Sequence, residues 1–172
     1  MRLQLSPAAE RADLVADPVA AALSHVDGAE VAEIDPDLAD TAALAAAYED
    51  VTLAESANCV VVLGRRGGQE RLAACLVLAT TRVDVNGTVR RHLDVRKISF
   101  APMDRAVAET GMEYGGITPV GLPAGWQLLI DPAVVAAPRI IIGSGLRRSK
   151  LVLPGAAVLG LPGAQVLDGL GR

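Results

Sequence analysis

The spacing of apolar residues divides this chain into an early helical part and a later part that mainly forms strands. Up to about Asp50 the sequence is rich in Ala, Asp and Glu, and its apolar residues recur at intervals of about one helical turn. The clearest such set is Leu14, Val15, Val19 and Leu23. Pro18 lies within this set, so we expect the helix to kink or restart there.

Two further elements are predicted before the strand-forming part begins. Glu30 to Ile34 has the composition of a short strand, and Asp35-Pro36 closes it. A helix is then predicted from about Thr41 to Glu49, with Asp40 or Thr41 as its N-cap.

Two β-rich runs, Asn58 to Leu63 and Leu72 to Ala79, predict a strand pair. The segment Gly64 to Gly68 between them is typical of a hairpin loop. If this loop is centred near Gly67, Cys59 and Cys75 face each other across the pair. A redox switch is then one interpretation, although buried cysteines more often serve as small core residues.

The segment after Asp84 has two interpretations. Asn86-Gly87 is a common hairpin turn. We favour a helix that starts after Asp84 as its N-cap, because apolar residues follow at four-residue intervals with arginines elsewhere. The apolar set is Val85, Val89 and Leu93.

The rest of the chain alternates short helices and strands. Pro102 and Gly111 bracket a helix from Met103 to Thr110, and Asp131-Pro132 starts a helical turn. A further helix is predicted from about Pro154. The predicted strands are Leu128 to Ile130, Arg139 to Ile142, Lys150 to Leu153 and Gln165 to Leu167. Because hairpins occur among these elements, we predict an α/β (α+β) fold: a compact single domain with a mixed sheet and flanking helices.

Composition narrows the function. The chain of 172 residues carries a net charge of −4 and only four aromatic residues, which argues against a globally cationic nucleic-acid binder and against repeated base stacking. No signal peptide or membrane span is recognised, so we expect a cytoplasmic protein. His25 and His92 belong to no metal or catalytic pattern, and the two cysteines form no CxxC motif. We therefore expect neither a metal nor a cofactor.

Two glycine turns are the candidate parts of a functional site. In Gly115-Gly116-Ile117-Thr118-Pro119 the paired glycines let backbone N–H groups approach a ligand, and Pro119 stiffens the loop. Such a turn can bind a carbonyl oxygen or a developing oxyanion, but a plain tight connection fits the pattern equally. The second turn, Gly143-Ser144-Gly145, precedes three cations that end at Lys150. It lacks a phosphate-loop signature, so a solvated turn and the edge of a charged-ligand cleft both remain open.

The two turns, in this order along the chain, resemble the glycine turns of the YbaK family of aminoacyl-tRNA deacylases. This family includes the inserted editing domain of bacterial prolyl-tRNA synthetases. The similarity runs from Asn58 through Gly155 and, with the strand-turn-helix pattern of Asp35 to Glu49, covers most of the chain beyond about residue 30. It implies an N-terminal helical extension at 1–29 and an editing domain at 30–172.

The resemblance implies hydrolysis of the ester that joins a wrong amino acid to tRNA. Water or the substrate's own side chain attacks while glycine-turn amides hold the ester. Mischarged tRNA is the implied substrate, and an aminoacyl-tRNA synthetase is a further expected partner. Carried over by position, Asn58, Gly115 and Gly116 would be catalytic. The substrate-binding residues would be Thr118, Pro119, Gly143, Ser144, Gly145 and Lys150.

One position departs from the family pattern. The family usually places a lysine at the start of its first core strand, and Asn58 occupies that place here. An amide can orient the substrate but brings no charge, and charge-assisted hydrogen bonds are roughly twice as strong as neutral ones. Lys97 and Lys150 are the candidates to supply the missing cation. The alternative hypothesis is a binding module that holds aminoacyl-tRNA or a nucleotide-like ligand without hydrolysis.

Overall fold

Nine strands and five short α-helices make up the computed structural model, which describes residues 1–172. The strands are β1 (Ser6–Pro7), β2 (Glu30–Glu33), β3 (Ala57–Arg66), β4 (Gln69–Leu78), β5 (Lys97–Phe100), β6 (Gln127–Ile130), β7 (Ile140–Gly143), β8 (Ser149–Leu153) and β9 (Ala164–Val166). The α-helices are α1 (Asp17–Ala22), α2 (Thr41–Ala47), α3 (Arg90–His92), α4 (Met103–Thr110) and α5 (Pro132–Ala136). A π-helical turn covers Val85–Val89, and short 3-10 helices lie at Ala8–Glu10, Ala12–Leu14, Leu23–His25, Pro36–Leu38 and Gly155–Gly160.

The strands form two sheets rather than one. The first has the order β1-β2-β8-β7 and is antiparallel throughout. The second has the order β5-β3-β4-β6-β9 and is mixed, because β6 pairs in parallel with both β4 and β9. The predicted mixed sheet with flanking helices is confirmed, and the separate antiparallel sheet is an addition to it.

The main core lies between the two sheets. It contains 21 buried residues, and both sheets contribute to it, for example Leu151 and Leu76. Two smaller clusters cover the outer faces: α2 packs on the first sheet, and the helical segment 85–92 packs on the second. Burial of these aliphatic side chains contributes most of the driving force for folding.

Most predicted elements are confirmed, and their ends follow local chemistry. Asp40 caps α2, because its carboxylate accepts from the backbone N–H groups of Ala42 and Ala43 at 3.0 and 3.1 Å. Gly111 ends α4 with a left-handed φ of 68°. The helix predicted from about Pro154 is a 3-10 helix, Gly155–Gly160.

The segment after Asp84 is helical, and the hairpin interpretation is wrong. The Asp84 carboxylate accepts from the backbone N–H and the hydroxyl of Thr88, at 2.9 and 2.8 Å. These bonds to a residue four positions ahead wind the chain into the π-helical turn that continues into α3.

The predicted hairpin loop is too long, and this shift changes the cysteine geometry. Strands β3 and β4 extend to Arg66 and Gln69, so only Gly67 and Gly68 form the turn. Cys59 therefore pairs with Leu76, while Cys75 pairs with Val60. Neighbouring positions on a strand point to opposite faces, so the prediction that the two cysteines face each other is wrong.

We expect both thiols to be unreactive, that of Cys75 in the core and that of the half-buried Cys59. Burial raises the pKa of the Cys75 thiol to about 12 and also raises that of Cys59, so little thiolate forms near pH 7. A disulfide reagent should report almost no reaction with native protein and two thiols after denaturation. An intact-mass loss of two hydrogens after mild oxidation of native protein would contradict this assignment.

Residues 1–29 are built into the fold. Two-residue strand β1 pairs with β2, and Leu14, Val15 and Val19 are buried in the main core. Pro18 stands in the first turn of α1, where a missing N–H is tolerated, so the predicted restart is confirmed. The structure contains no helix long and apolar enough to cross a bilayer.

Candidate functional site

A cavity of about 700 Å³ opens where β3 and β7 separate. A single parallel bridge, between Ser56 and Ile141, joins the two sheets. Beyond this bridge β3 has no partner on that edge until β5 pairs with it at Val62. The gap is closed by the start of α2, the ends of β5 and β7, α4 and the Gly115 turn.

The diverging strands leave main-chain donors facing this cavity. Ile141 N–H donates to the Glu55 carbonyl at 2.8 Å, and Ala101 N–H donates to the Val61 carbonyl at 2.9 Å. Backbone groups on a strand alternate in direction, so the N–H groups of Gly143 and Cys59 point into the same gap. Neither residue has a strand partner on this edge. The cavity wall therefore carries main-chain N–H groups available to a carbonyl oxygen, among them those of Gly143 and Cys59.

The two glycine turns are bound to each other. Gly145 N–H donates to the Gly116 carbonyl at 2.7 Å, and Gly116 N–H donates to the Glu113 carbonyl at 2.9 Å. Glu113 N–H in turn donates to the Gly145 carbonyl at 2.9 Å. Gly145 N–H therefore joins the two turns, while Gly116 N–H is engaged within the first turn.

Close contacts between backbone atoms explain why glycine occupies these positions. A Cβ on Gly143 would lie 2.4 Å from the Gly116 carbonyl oxygen, and one on Gly116 would lie 2.7 Å from the backbone of Leu146. Gly115 has a φ of +87°, which side-chain-bearing residues rarely adopt. Of these glycines, Gly115 and Gly143 line the cavity.

Four other residues predicted at the site do not line the cavity: Thr118, Pro119, Ser144 and Gly145. Thr118 is fully buried, and its hydroxyl has no hydrogen-bond partner. Ser144 Oγ lies 2.6 Å from Ser149 Oγ and accepts from the backbone N–H of Leu146 at 3.2 Å. These contacts give Ser144 a part in shaping the turn that follows β7.

Lys150 is a buried cation in the cavity wall. Only 8% of the residue is exposed, and its Nζ donates to the Ala39 carbonyl at 2.8 Å. Burial lowers the pKa of Lys150 to about 8, with nearby Asp40 opposing this and Arg147 adding to it. At pH 7 such an amine is still mostly protonated. Lys150 also lies directly across from Gly143 in the β7–β8 pair.

The side chain of Asn58, in the second sheet, also contacts the chain at the start of α2. Its Oδ1 accepts from Thr41 Oγ1 at 2.9 Å. Thr41 and Ala39 flank Asp40, so Asn58 and Lys150 reach chain positions only two residues apart. Of the two candidate cations, Lys150 lies at the cavity, whereas Lys97 lies near the far end of β3, where it pairs with Arg65.

Three residues at the cavity mouth were not among the predicted site residues, although Arg147 is one of the three cations that follow the Gly143 turn. Phe100, Tyr114 and Arg147 all line the opening. The Arg147 guanidinium donates to the carbonyls of Tyr114 and Pro36, at 3.4 and 3.1 Å, and thus joins two loops. Only the scarcity of aromatic residues could have drawn attention to the two rings, because their exposure depends on the fold.

A family model and several solved structures match this chain. A family model described as the aminoacyl-tRNA editing domain matches residues 35–161. A solved structure described as a candidate trans-editing enzyme for prolyl-tRNA synthetase aligns with a TM-score of 0.76 and 24% identity, over 98% of this chain and 99% of the other. A scaffold protein from work on computational epitope grafting aligns with the same TM-score and identity, over 91% of this chain and 97% of that one. At such identities these structures establish the fold.

Proposed function

Since this chain belongs to the family of aminoacyl-tRNA editing domains, we propose that it acts as a free-standing deacylase that hydrolyses the ester of mischarged tRNA. Water attacks the ester carbonyl carbon, and the bond from that carbon to the ribose oxygen breaks. The ribose oxygen leaves with a proton derived from water, so the products are a free amino acid and an uncharged tRNA.

The buried ammonium of Lys150 is the observation that supports this proposal most strongly. Burial of a charged lysine costs free energy, so a buried ammonium that forms no salt bridge needs a reason beyond packing. A negative charge develops on the carbonyl oxygen during ester hydrolysis. A cation and two N–H groups in a partly closed cavity are suited to stabilise it.

Each site residue then has a distinct proposed part. Lys150 and the N–H groups of Gly143 and Cys59 receive the developing oxyanion. Gly115 leaves room for the Arg147 guanidinium beside its turn. Asn58, oriented by Thr41, donates its amide to the substrate. Gly116, Thr118, Pro119, Ser144 and Gly145 act indirectly by holding the two turns in place. The Cys59 thiol takes no part as a nucleophile, because its raised pKa keeps it protonated.

The substrate class follows from the family and the neighbour. The described trans-editing neighbour is linked to prolyl-tRNA synthetase, so we propose tRNA of proline that carries another amino acid as the first substrate to test. The protein would act in the cytoplasm on released aminoacyl-tRNA, in contact with a synthetase or downstream of it.

A deacylation panel tests the proposal. Wild-type protein is incubated with tRNAs charged with correct and incorrect amino acids, and the remaining ester is measured against buffer alone. We expect at least one mischarged tRNA to be hydrolysed and correctly charged prolyl-tRNA to be spared. No turnover of any member of the panel would overturn the proposal.

Asn58→Lys separates an enzyme from a binding module. If Lys150 already supplies the cation, a second lysine on the same corner should change kcat by less than about tenfold, because the charge-assisted interaction is already present. Activity that appears in Asn58→Lys but is absent from the parent would instead identify the parent as a binding module.

A further inference from the structure

Two of the four aromatic residues of this chain lie exposed at the mouth of the cavity. Phe100, at the end of β5, is 64% exposed, and Tyr114, just before Gly115, is 53% exposed. A ring left in water forgoes the stabilisation that burial would provide. The other two aromatic residues, Tyr48 and Trp126, are buried or half-buried.

Arg147, in the lining of the same cavity, places a positive charge beside Tyr114. Its guanidinium forms no salt bridge and is held by the carbonyls of Tyr114 and Pro36. The nearby Glu113 carboxylate accepts from the backbone N–H of Arg147, not from the guanidinium. The charge is therefore fixed in position and remains available to an anion. We call Phe100, Tyr114 and Arg147 the rim.

The cavity and its rim together suit a ligand of three chemical parts. The volume of about 700 Å³ lies within the range of ~300–1,000 Å³ typical of sites for ligands well above the size of an amino acid. The inner wall offers hydrogen-bond donors to an ester, the rings offer flat apolar faces, and Arg147 offers a phosphate partner. A nucleotide esterified at its ribose has all three parts.

We propose that the rim binds the terminal nucleotide of the tRNA acceptor end. The adenine base stacks on Phe100 and Tyr114, and the phosphate that precedes it pairs with Arg147. This inference rests on the proposed function. The rim then recognises a feature common to all tRNAs, while the inner cavity alone selects the amino acid.

Comparison of two substrates tests the rim. One is the most rapidly hydrolysed aminoacyl-tRNA of the panel, and the other is the ethyl ester of the same amino acid, which lacks a nucleoside. Stacking of one base on one ring changes affinity roughly tenfold or more. We expect Phe100→Ala and Tyr114→Ala each to raise KM for the tRNA substrate about tenfold and to leave hydrolysis of the ethyl ester unchanged.

Matched variants separate stacking from general loss of apolar surface. Tyr114→Phe keeps the ring and should behave as wild type, whereas Phe100→Leu keeps apolar bulk without a ring and should behave as Phe100→Ala. Leu159→Ala removes a side chain from a residue that is 48% exposed and outside the cavity, and should have no effect. Equal losses on both substrates, or wild-type behaviour of Phe100→Leu, would overturn the proposal.

Binding of a CCA trinucleotide keeps this inference separate from the proposed function. Wild-type protein should bind a labelled trinucleotide in a fluorescence anisotropy titration, and Phe100→Ala and Arg147→Ala should each weaken it about tenfold. If the wild type hydrolyses no aminoacyl-tRNA, the deacylase assignment fails. The trinucleotide titration alone then decides whether the rim binds the terminal nucleotide. If turnover is normal but neither variant changes KM or trinucleotide binding, the rim assignment fails while the deacylase stands.

Discussion

Lys150→Met is expected to stabilise the protein at neutral pH and to remove most of its activity. The pKa of Lys150 falls to about 8 from an ordinary 10.5, a difference worth roughly 3 kcal/mol at 1.36 kcal/mol per unit. Between these two pH values the unfolded chain binds more protons than the native protein, so stability rises with pH across this window. Below pH 8 the native protein carries the full cost of the buried ammonium, and methionine removes that cost.

The same substitution should lower kcat about 100- to 1,000-fold, the usual effect of removing an oxyanion donor. Urea unfolding at pH 7 and pH 10.5 measures the stability change, and single-turnover deacylation measures the rate. The stability gain should shrink at the higher pH. Lys97→Met, at an exposed lysine outside the cavity, is the matched control and should change neither quantity. A variant that is less stable and fully active would contradict the assignment.

Gly143→Ala is expected to have the second-largest effect, through backbone contact. The added methyl group would lie 2.4 Å from the Gly116 carbonyl oxygen and 2.8 Å from that of Ile117. Both neighbours are main-chain atoms of the other turn and cannot rotate away. We expect a loss of roughly 3 kcal/mol in the free energy of unfolding and a fall in Tm of roughly 6–12 °C. Activity well below the new Tm should fall about 100-fold, because the Gly143 N–H is displaced.

Gly125→Ala is the control for this variant. Gly125 has a φ of +84° with no atom within 4 Å of an added Cβ, so only backbone strain of roughly 1–2 kcal/mol is expected. Its activity should remain at the wild-type level. Equal losses of stability and activity in the two variants would show that the contact between the turns does not explain the effect of Gly143→Ala.

Local signals predicted most elements of this fold, because each depends on residues close together in sequence. The strand pair, the Asp40 cap and the Gly111 terminator are of this kind. The predicted hairpin was wrong by a few residues. Five charged or polar side chains continue the ladder although they are typical of a loop, those of Arg65, Arg66, Gln69, Glu70 and Arg71. That change in register moved Cys59 to the face opposite Cys75.

The site was predictable only in part, for a different reason. Glycines mark a place where backbones come close, but sequence does not show which amides remain free after the turns bind each other. Gly116 N–H is engaged, whereas Gly143 N–H faces the cavity. The position of Lys150 beside the start of α2 depends on pairing between distant strands, and so does the exposure of Phe100 and Tyr114.

The single bridge between Ser56 and Ile141 has a consequence for how substrate preference can change over time. The proposed main-chain donors are kept when the side chains around them change, since every residue but proline carries an N–H group. The surrounding walls of Ala, Leu, Val and Ile can therefore be resized one methyl group at a time without rebuilding the reactive centre. Under the proposed function, a scaffold of this kind permits related proteins to exchange one amino-acid substrate for another while the reaction stays the same.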